Sequence, residues 1–446
     1  MNSMPHTYNL RMSHKLPDEY GARAILNDEL HAHPYEPLTP PERVVSIAML
    51  ADQQHSEAEA SHLQALCEHF GKQAPTDPER WRIDLGPLRV KVENHHEYTR
   101  YKLTRKLDAT PQEDLYGKSP LDLLPEGWLE ALPGKLLVAM DICVIPYPEG
   151  ASHRGLLDEF SPYFDKTTLS ASQVGRSANL VVTDFRIRED GMMRMLIFSQ
   201  ARLPSQIGRL THRLVAMETY RMLALLALPE AKHLLTELPQ ADARLTELTH
   251  AISDGGGADD EVLMHQLTTL AAFVEKLVAT HYRRFSATHA YFDMVFERLD
   301  ELHEQQVETV SSLGGILRRR LDPARTTCDS VSHWLDQLAS RVGKTTGLLG
   351  ARIDVEHSKQ NREMLSAMNQ RFQLQLRLQQ AAELLSIAIF TYYTVNLLDY
   401  VVQELAVLSG VPLESLLVKA VAGPLLAASA FLFINRLRKK RDIGEA

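Results

Sequence analysis

The sequence predicts an α+β protein: an N-terminal mixed or antiparallel α/β domain, then long coiled-coil-like helices, then a C-terminal two-helix transmembrane hairpin. Three observations predict this class. Strand-like segments occur only before residue 204. Beyond that point, apolar residues recur at spacings of three and four, as in paired helices. Two largely apolar segments, uncharged over Leu384–Leu398 and Ala420–Asn435, then precede a basic tail.

The totals limit the class of protein further. A chain of 446 residues is long enough for two or more structural units. Its net charge of −9 argues against nonspecific nucleic-acid binding, and its mean hydropathy of −0.21 excludes a polytopic transporter. The three cysteines are far apart, which is typical of a reducing compartment. Residues 1–20 lack the apolar run of a secretory signal, so we expect the N-terminal part to be cytoplasmic.

The predicted elements of the first domain, residues 1–203, follow from local periodicity. A short helix at 21–30 leads into a proline-rich loop at 33–41, and an amphipathic helix covers Ser56–Phe70. Arg89-Val90-Lys91-Val92 alternates charged and apolar residues, which indicates a half-buried strand. The predicted strands are Val44–Leu50, Ile83–Val92, Tyr98–Leu103, Leu136–Ile145, Asn179–Ile187 and Met192–Phe198.

Helices account for the rest of the chain. Ser205–Leu228 and Glu230–Ser253 form the connecting helices of residues 204–257. A long helix with a seam from Leu263 is expected to end at Asp322-Pro323, and a further helix extends to Tyr400. We predict that these two helices pair as an antiparallel stalk hairpin over residues 258–383, which also joins copies of the chain into a homo-oligomer.

Two apolar segments, at about 384–403 and 413–435, are each long enough to cross a bilayer. Five basic residues follow within 436–441, and the positive-inside tendency keeps such a tail (residues 437–446) in the cytoplasm. We therefore expect residues 384–436 to insert into the bacterial inner membrane, with both termini cytoplasmic and the lipid bilayer as partner. The alternative is two buried helices of a soluble bundle.

Four residues are candidate site residues. Asn396 and Asp399 are polar groups within the first apolar segment, so they could line a pore or a helix interface. Asp399 could equally mark the edge of the membrane. Asp184 and Arg186 fall on one face of a strand, where they form either a structural pair or a ligand site.

Other chemistry is weakly indicated. His31 with His33, and His95-His96-Glu97, lack the further ligands that a zinc site needs. Gly343-Lys344 resembles part of a phosphate-binding loop, but Leu338 occupies the position of the required first glycine. We therefore predict no catalytic residue, no metal ligand and no cofactor.

Seven blocks of the sequence carry a resemblance to a known family: Leu26–Pro34, Pro41–Val44, Thr183–Ile187, Glu218–Met222, Leu225–Pro229, Arg352–Val355 and Gln375–Gln379. They are similar to a bacterial family known as domain of unknown function 3422. The family is described as membrane-anchored, so the resemblance implies membrane attachment, and it supplies no activity. His33 departs from the arginine expected there, which weakens any ligand role at that position.

The order of parts alone also resembles the CorA-type magnesium transporters. Those carry Gly-Met-Asn after the first span, and this chain has no such tripeptide. Three functions stay open on the sequence: a membrane-anchored oligomeric scaffold or regulator, a CorA-like divalent cation channel, and an enzyme in the α/β domain.

Overall fold

A computed structural model describes most of the chain, which divides into two compact units. We call residues 1–258 and 265–344 the sheet unit, and residues 259–264 and 345–446 the helical unit. The described residues are 17–18, 20–23, 26–27, 35–50, 56–75, 81–107, 115–175, 178–254, 259–307, 310–409, 420–421, 424–425, 428–429, 431–433 and 436.

The described secondary structure includes nine strands, six α-helices, and two 3-10 helices at Pro120–Leu123 and Ser161–Tyr163. The strands are β1 Glu42–Leu50, β2 Arg82–Asp84, β3 Arg89–Asn94, β4 Tyr98–Lys106, β5 Lys135–Pro146, β6 Ser170–Val174, β7 Asn179–Ile187, β8 Met193–Ser199 and β9 Gln305–Gln306. The helices are α1 Ser56–His69, α2 His153–Phe160, α3 Pro204–Leu225, α4 Leu228–Ser253, α5 Asp260–Glu301 and α6 Leu313–Ser409.

The strands form one mixed sheet in the order β2-β3-β4-β1-β5-β8-β7-β6-β9. Within the described residues, β5 and β8 are the one parallel pair, and the other neighbours are antiparallel. The prediction of an α+β class with a mixed sheet is confirmed.

Both faces of the sheet are covered, which explains why most of its strands are buried. On one face, Leu214 of α3, Phe292 of α5 and Leu317 of α6 belong to the same buried cluster as Met140 and Ile197 of the sheet. On the other face, α1 packs on β1, β3 and β4, and α2 packs on β7 and β8. Residues on both sides of position 204 therefore build this core.

The predicted strands are found with one correction. Ile83–Val92 is two strands, β2 and β3, because Gly86 adopts a left-handed backbone with φ of 99° and Leu85 donates its N–H to the Leu88 carbonyl. The prediction missed β6, β9 and α2, which are short. Of the predicted helix at 21–30, residues 21–23, 26 and 27 are described: residues 21 and 22 form a turn, and 23, 26 and 27 are helical.

The prediction that Asp322-Pro323 ends a helix is wrong. The break lies earlier, between Glu301 and Leu313, where β9 pairs with β6. The Glu304 carboxylate caps α6 there, because it accepts the Gly314 N–H at 3.0 Å and the Ser172 hydroxyl at 2.9 Å. A β-carbon at Gly314 would lie 2.2 Å from this carboxylate, so glycine permits the cap.

Packing explains why α6 continues through Pro323. An internal proline costs a helix about 3 kcal/mol. On either side of it, Leu317, Leu321 and Cys328 are at most 3% exposed, and each buried leucine contributes about 1.5–3 kcal/mol. The buried side chains outweigh the proline.

The last helix extends past Tyr400, as predicted: the predicted first span, 384–403, is the end of α6, which is 97 residues long. The predicted two-helix hairpin is not shown by the described residues. Most of the predicted second span, 413–435, lies outside the described residues, and those of its residues that are described are helical.

Candidate functional sites: an exposed apolar helix segment and a buried charged layer

Residues 384–408 of α6, which we call the apolar segment, carry large apolar side chains that are exposed on every side of the helix. The charged residues within it are Asp399 and Glu404. At 1.5 Å per residue it is about 37 Å long, more than the ~30 Å of a bilayer core. Its exposed side chains are Leu384, Leu385, Ile389, Phe390, Tyr392, Tyr393, Leu397, Leu398, Tyr400, Val401, Leu405, Val407 and Leu408.

The exposure of the apolar segment to water would be unfavourable. Thirteen large side chains left about half exposed forfeit on the order of 10–20 kcal/mol of burial energy. By length and composition, two described helices could cross a membrane: α5, with a mean hydropathy of 1.2 over its most apolar window, and α6, with 1.4. The α5 helix supplies Phe292 and Val295 to the core of the sheet unit, whereas none of the α6 window is buried.

The two polar candidates in the apolar segment differ in exposure. Asp399 is 7% exposed, although the flanking Leu398 and Tyr400 are exposed, and its Oδ2 accepts a hydrogen bond from Gln403 Nε2 at 3.1 Å. Asn396, one turn earlier, is exposed. Their assignment to a pore or a helix interface stays a prediction.

A second feature lies in the sheet unit, where charged side chains of β3 and β4 are buried instead of facing water. Lys91 and Lys102 are direct neighbours in the β3–β4 register, as are Glu93 and Arg100. All four side chains are less than 10% exposed. We call these residues, with Glu36, Glu42, Arg89 and His212, the charged layer.

Each carboxylate of the charged layer has a cationic partner. Glu93 lies 2.5 Å from Lys91 Nζ and 3.1 Å from Arg100 Nη1. Glu36 lies 3.2 Å from Lys102 Nζ, and Arg89 joins Glu36 to Glu42 at 2.9 Å from each. With His212 neutral, the charged layer holds four cations and three carboxylates. The cations are Arg89, Lys91, Arg100 and Lys102, and the carboxylates are Glu36, Glu42 and Glu93.

Helix α3 and the loop at residues 35–38 close the layer. Arg100 Nη2 donates to the Thr219 hydroxyl of α3 at 3.2 Å. The Leu38 N–H donates to the Pro204 carbonyl at the start of α3, and Gly208 provides the space for the Glu36 backbone. These contacts therefore fix the position of the loop at residues 35–38, which follows the block Leu26–Pro34 that resembles the family.

The pKa values of the layer reflect burial opposed by neighbouring charge. Burial lowers the pKa of His212 to about 3, since the nearby Glu93 carboxylate does not offset its desolvation. Burial raises the pKa of Glu36, but Lys102 and Arg89 outweigh it, so that pKa is lowered. Burial also lowers the pKa of Lys102 despite its contact with Glu36. These contacts link β3 and β4 to the loop at residues 35–38 and to α3, which is a structural role.

The structure separates the predicted pair in β7. Residue 185 adopts a φ of 53° at an irregularity in the β7–β8 register, which changes the direction of the following side chains. The Asp184 carboxylate therefore accepts from Arg188 Nη2 at 2.5 Å, while Arg186 Nη1 lies 3.1 Å from Asp165. Between Asp184 and Arg186 themselves, the contact is through the backbone: the Arg186 N–H donates a hydrogen bond to the Asp184 carboxylate at 3.1 Å.

The remaining motifs are dispersed. His31 and His33 lie outside the described residues. His95 stacks on Tyr98 with ring centroids 4.3 Å apart, and Lys344 lies inside α6. Among the residues that the structure describes, no group of three or more His, Cys, Asp or Glu side chains could hold a metal ion.

These features define a class: an α+β protein with a nine-stranded mixed sheet and long helices, the last of which carries an exposed apolar segment. A protein-family model described as protein of unknown function (DUF3422) matches residues 18–441, nearly the whole chain, and the chain belongs to this family. The resemblance found in the sequence is thus confirmed. No curated protein and no solved structure matches the chain.

Proposed function

We propose that this protein is a membrane-anchored scaffold or regulator that works as a homo-oligomer on the cytoplasmic face of the bacterial inner membrane. The exposed apolar segment carries the proposal. Its side chains are too extensive to remain in water, and its length suits a bilayer. The order of a span followed by a basic tail supports a cytoplasmic C-terminus.

Oligomerisation is supported by a second exposed stripe on α6, which precedes the apolar segment. At 100° per residue, the five side chains of this stripe fall within about a third of the helix circumference. A second copy of the helix would cover them as in a coiled coil. They are Met364, Leu365, Met368, Phe372 and Leu376, each at least 41% exposed.

Membrane attachment is tested by placing a charge in the apolar segment. An arginine near the centre of a span costs about 2.5–3.5 kcal/mol on insertion scales. We expect Leu397→Arg to lower the fraction of full-length protein in the membrane pellet. Leu348→Arg is the matched control, because Leu348 is equally exposed on α6 but lies outside the segment. Equal pelleting of both variants would contradict the proposal.

The oligomer is tested by cross-linking in native membranes. Phe372→Glu places a charge in the stripe and should reduce the cross-linked species. Gln370→Glu places the same charge on the opposite side of the helix, where Gln370 is exposed, and should leave them unchanged. If the wild-type protein yields only monomer, the scaffold proposal loses its oligomeric part.

A further inference from the structure

A cleft of about 1070 Å³ lies in the sheet unit, where Gly175, after β6, and Asn179, at the start of β7, lie near α3 and the end of α5. The volume is that of a site for a small molecule. Its walls carry both acidic and basic side chains, and several of them are paired with another charged residue of the protein.

The acidic wall, at the end of α5, is largely neutralised. Glu301 Oε2 lies 2.8 Å from Arg298 Nη1 and 3.2 Å from Arg213 Nε. Asp300 forms an ion pair with Arg318 at 2.5 Å. Both carboxylates therefore have cationic partners before any ligand enters.

Two other residues of the lining keep donors that no described acceptor uses. Arg209 of α3 has no carboxylate partner among the described residues, and its guanidinium lies over the ring of Tyr35, 5.2 Å from the centroid. Asn179 accepts a hydrogen bond from the Ser199 hydroxyl at 2.6 Å, which fixes its amide. Its Nδ2 has no acceptor within the described part of the chain.

The described residues that line the cleft include two arginines, Arg209 and Arg213, and three acids, Glu297, Asp300 and Glu301. Arg298 and Arg318 pair with Glu301 and Asp300 from outside this lining. With these two partners counted, the described cations outnumber the described acids by one. An anionic group would complete this balance.

We infer that the cleft binds the anionic group, phosphate or carboxylate, of a small polar molecule. The Arg209 guanidinium makes the ion pair, and the Asn179 amide donates a hydrogen bond. The stacking on Tyr35 and the hydrogen bond from Ser199 hold these two groups in place before the ligand arrives, which favours binding.

The test is calorimetric titration of the full-length protein in detergent with inorganic phosphate and with succinate, at constant ionic strength. We expect Arg209→Gln to weaken binding of at least one of these anions about tenfold or more, the effect of losing a charge-assisted hydrogen bond. Asn179→Asp keeps the acceptor for Ser199 but replaces the donor with a charge, and should abolish binding.

Arg283→Gln is the matched control, because Arg283 is an exposed arginine of α5 that does not line the cleft. It should bind as the wild type does. Dihexanoyl phosphatidic acid, a water-soluble lipid, distinguishes the two sources of a phosphate: tighter binding than that of inorganic phosphate identifies a lipid headgroup, and equal binding a soluble ligand. Absence of binding, or equal binding by all variants, would overturn the inference.

Discussion

The backbone carbonyl of Glu36 lies so close to Gly208 that a β-carbon on Gly208 would be 1.9 Å from its oxygen. This contact lets the loop at residues 35–38 cross α3 and brings the Glu36 carboxylate to Lys102 and Arg89. The position of Glu36 in the charged layer therefore depends on the absence of a side chain at Gly208.

The first prediction concerns this glycine. Gly208→Ala should lower the free energy of unfolding by about 1–3 kcal/mol, because a backbone carbonyl cannot move aside as a flexible side chain can. Gly343→Ala is the control: it lies in α6 with open space around it and should raise helix stability by about 0.5–1 kcal/mol. Denaturant unfolding of the full chain measures both, and equal effects would contradict the close contact.

The ion pair between Glu36 and Lys102 gives a second prediction. Lys102→Met leaves the buried Glu36 carboxylate with Arg89 but without its second cation, so this variant alone should destabilise the protein by about 1–3 kcal/mol. The double variant Glu36→Gln with Lys102→Met should be less destabilised than the sum of the two single variants. A double-mutant cycle from denaturant unfolding measures the coupling, and additive effects would show that these residues do not interact.

His212 gives a prediction on pH. The pKa of His212 is lowered in the folded protein to about 3, whereas an unfolded histidine has a pKa near 6.5. As the pH falls from 6.5 toward 3, the unfolded state alone gains a proton, so folding stability decreases. At pH 5, His212→Gln should therefore lose roughly 1–2 kcal/mol less than the wild type does. The exposed His233→Gln serves as control, and identical pH profiles for all three proteins would refute the assignment.

The proposed topology predicts the location of two reporters. Alkaline phosphatase is active only in the periplasm, so a fusion that truncates the chain after Gly410 should be active. A fusion after Ala446 should be inactive, because the basic tail keeps that end inside. Activity at both positions, or at neither, would be inconsistent with two spans and cytoplasmic termini.

The sequence was most informative where a segment determines its own structure. Strands β1, β4, β5, β7 and β8 are rich in β-branched, aromatic and other apolar residues, so they were predicted near their observed bounds. The break at Pro323 was mispredicted because the side chains that hold the helix together pack on distant strands. The true break depends on Glu304 reaching both Ser172 and Gly314, which no local pattern reveals.

The charged layer was missed for a related reason. Alternation such as Arg89-Val90-Lys91 normally indicates one face in water. That face is buried here by Glu36, more than fifty residues earlier, and by α3, more than a hundred residues later. The spacing of Asp184 and Arg186 predicts that both side chains lie on one face of the strand, which holds only for a regular strand. The backbone at Phe185 is irregular, so the two side chains have different partners.

The central claim is that the apolar segment attaches this protein to a membrane. Ultracentrifugation of a detergent-free lysate, followed by alkaline carbonate extraction, tests it most directly. We expect the full chain to remain in the carbonate-resistant pellet, and a chain that ends at Ala381 to move to the supernatant. Recovery of the full chain in the supernatant would contradict the claim.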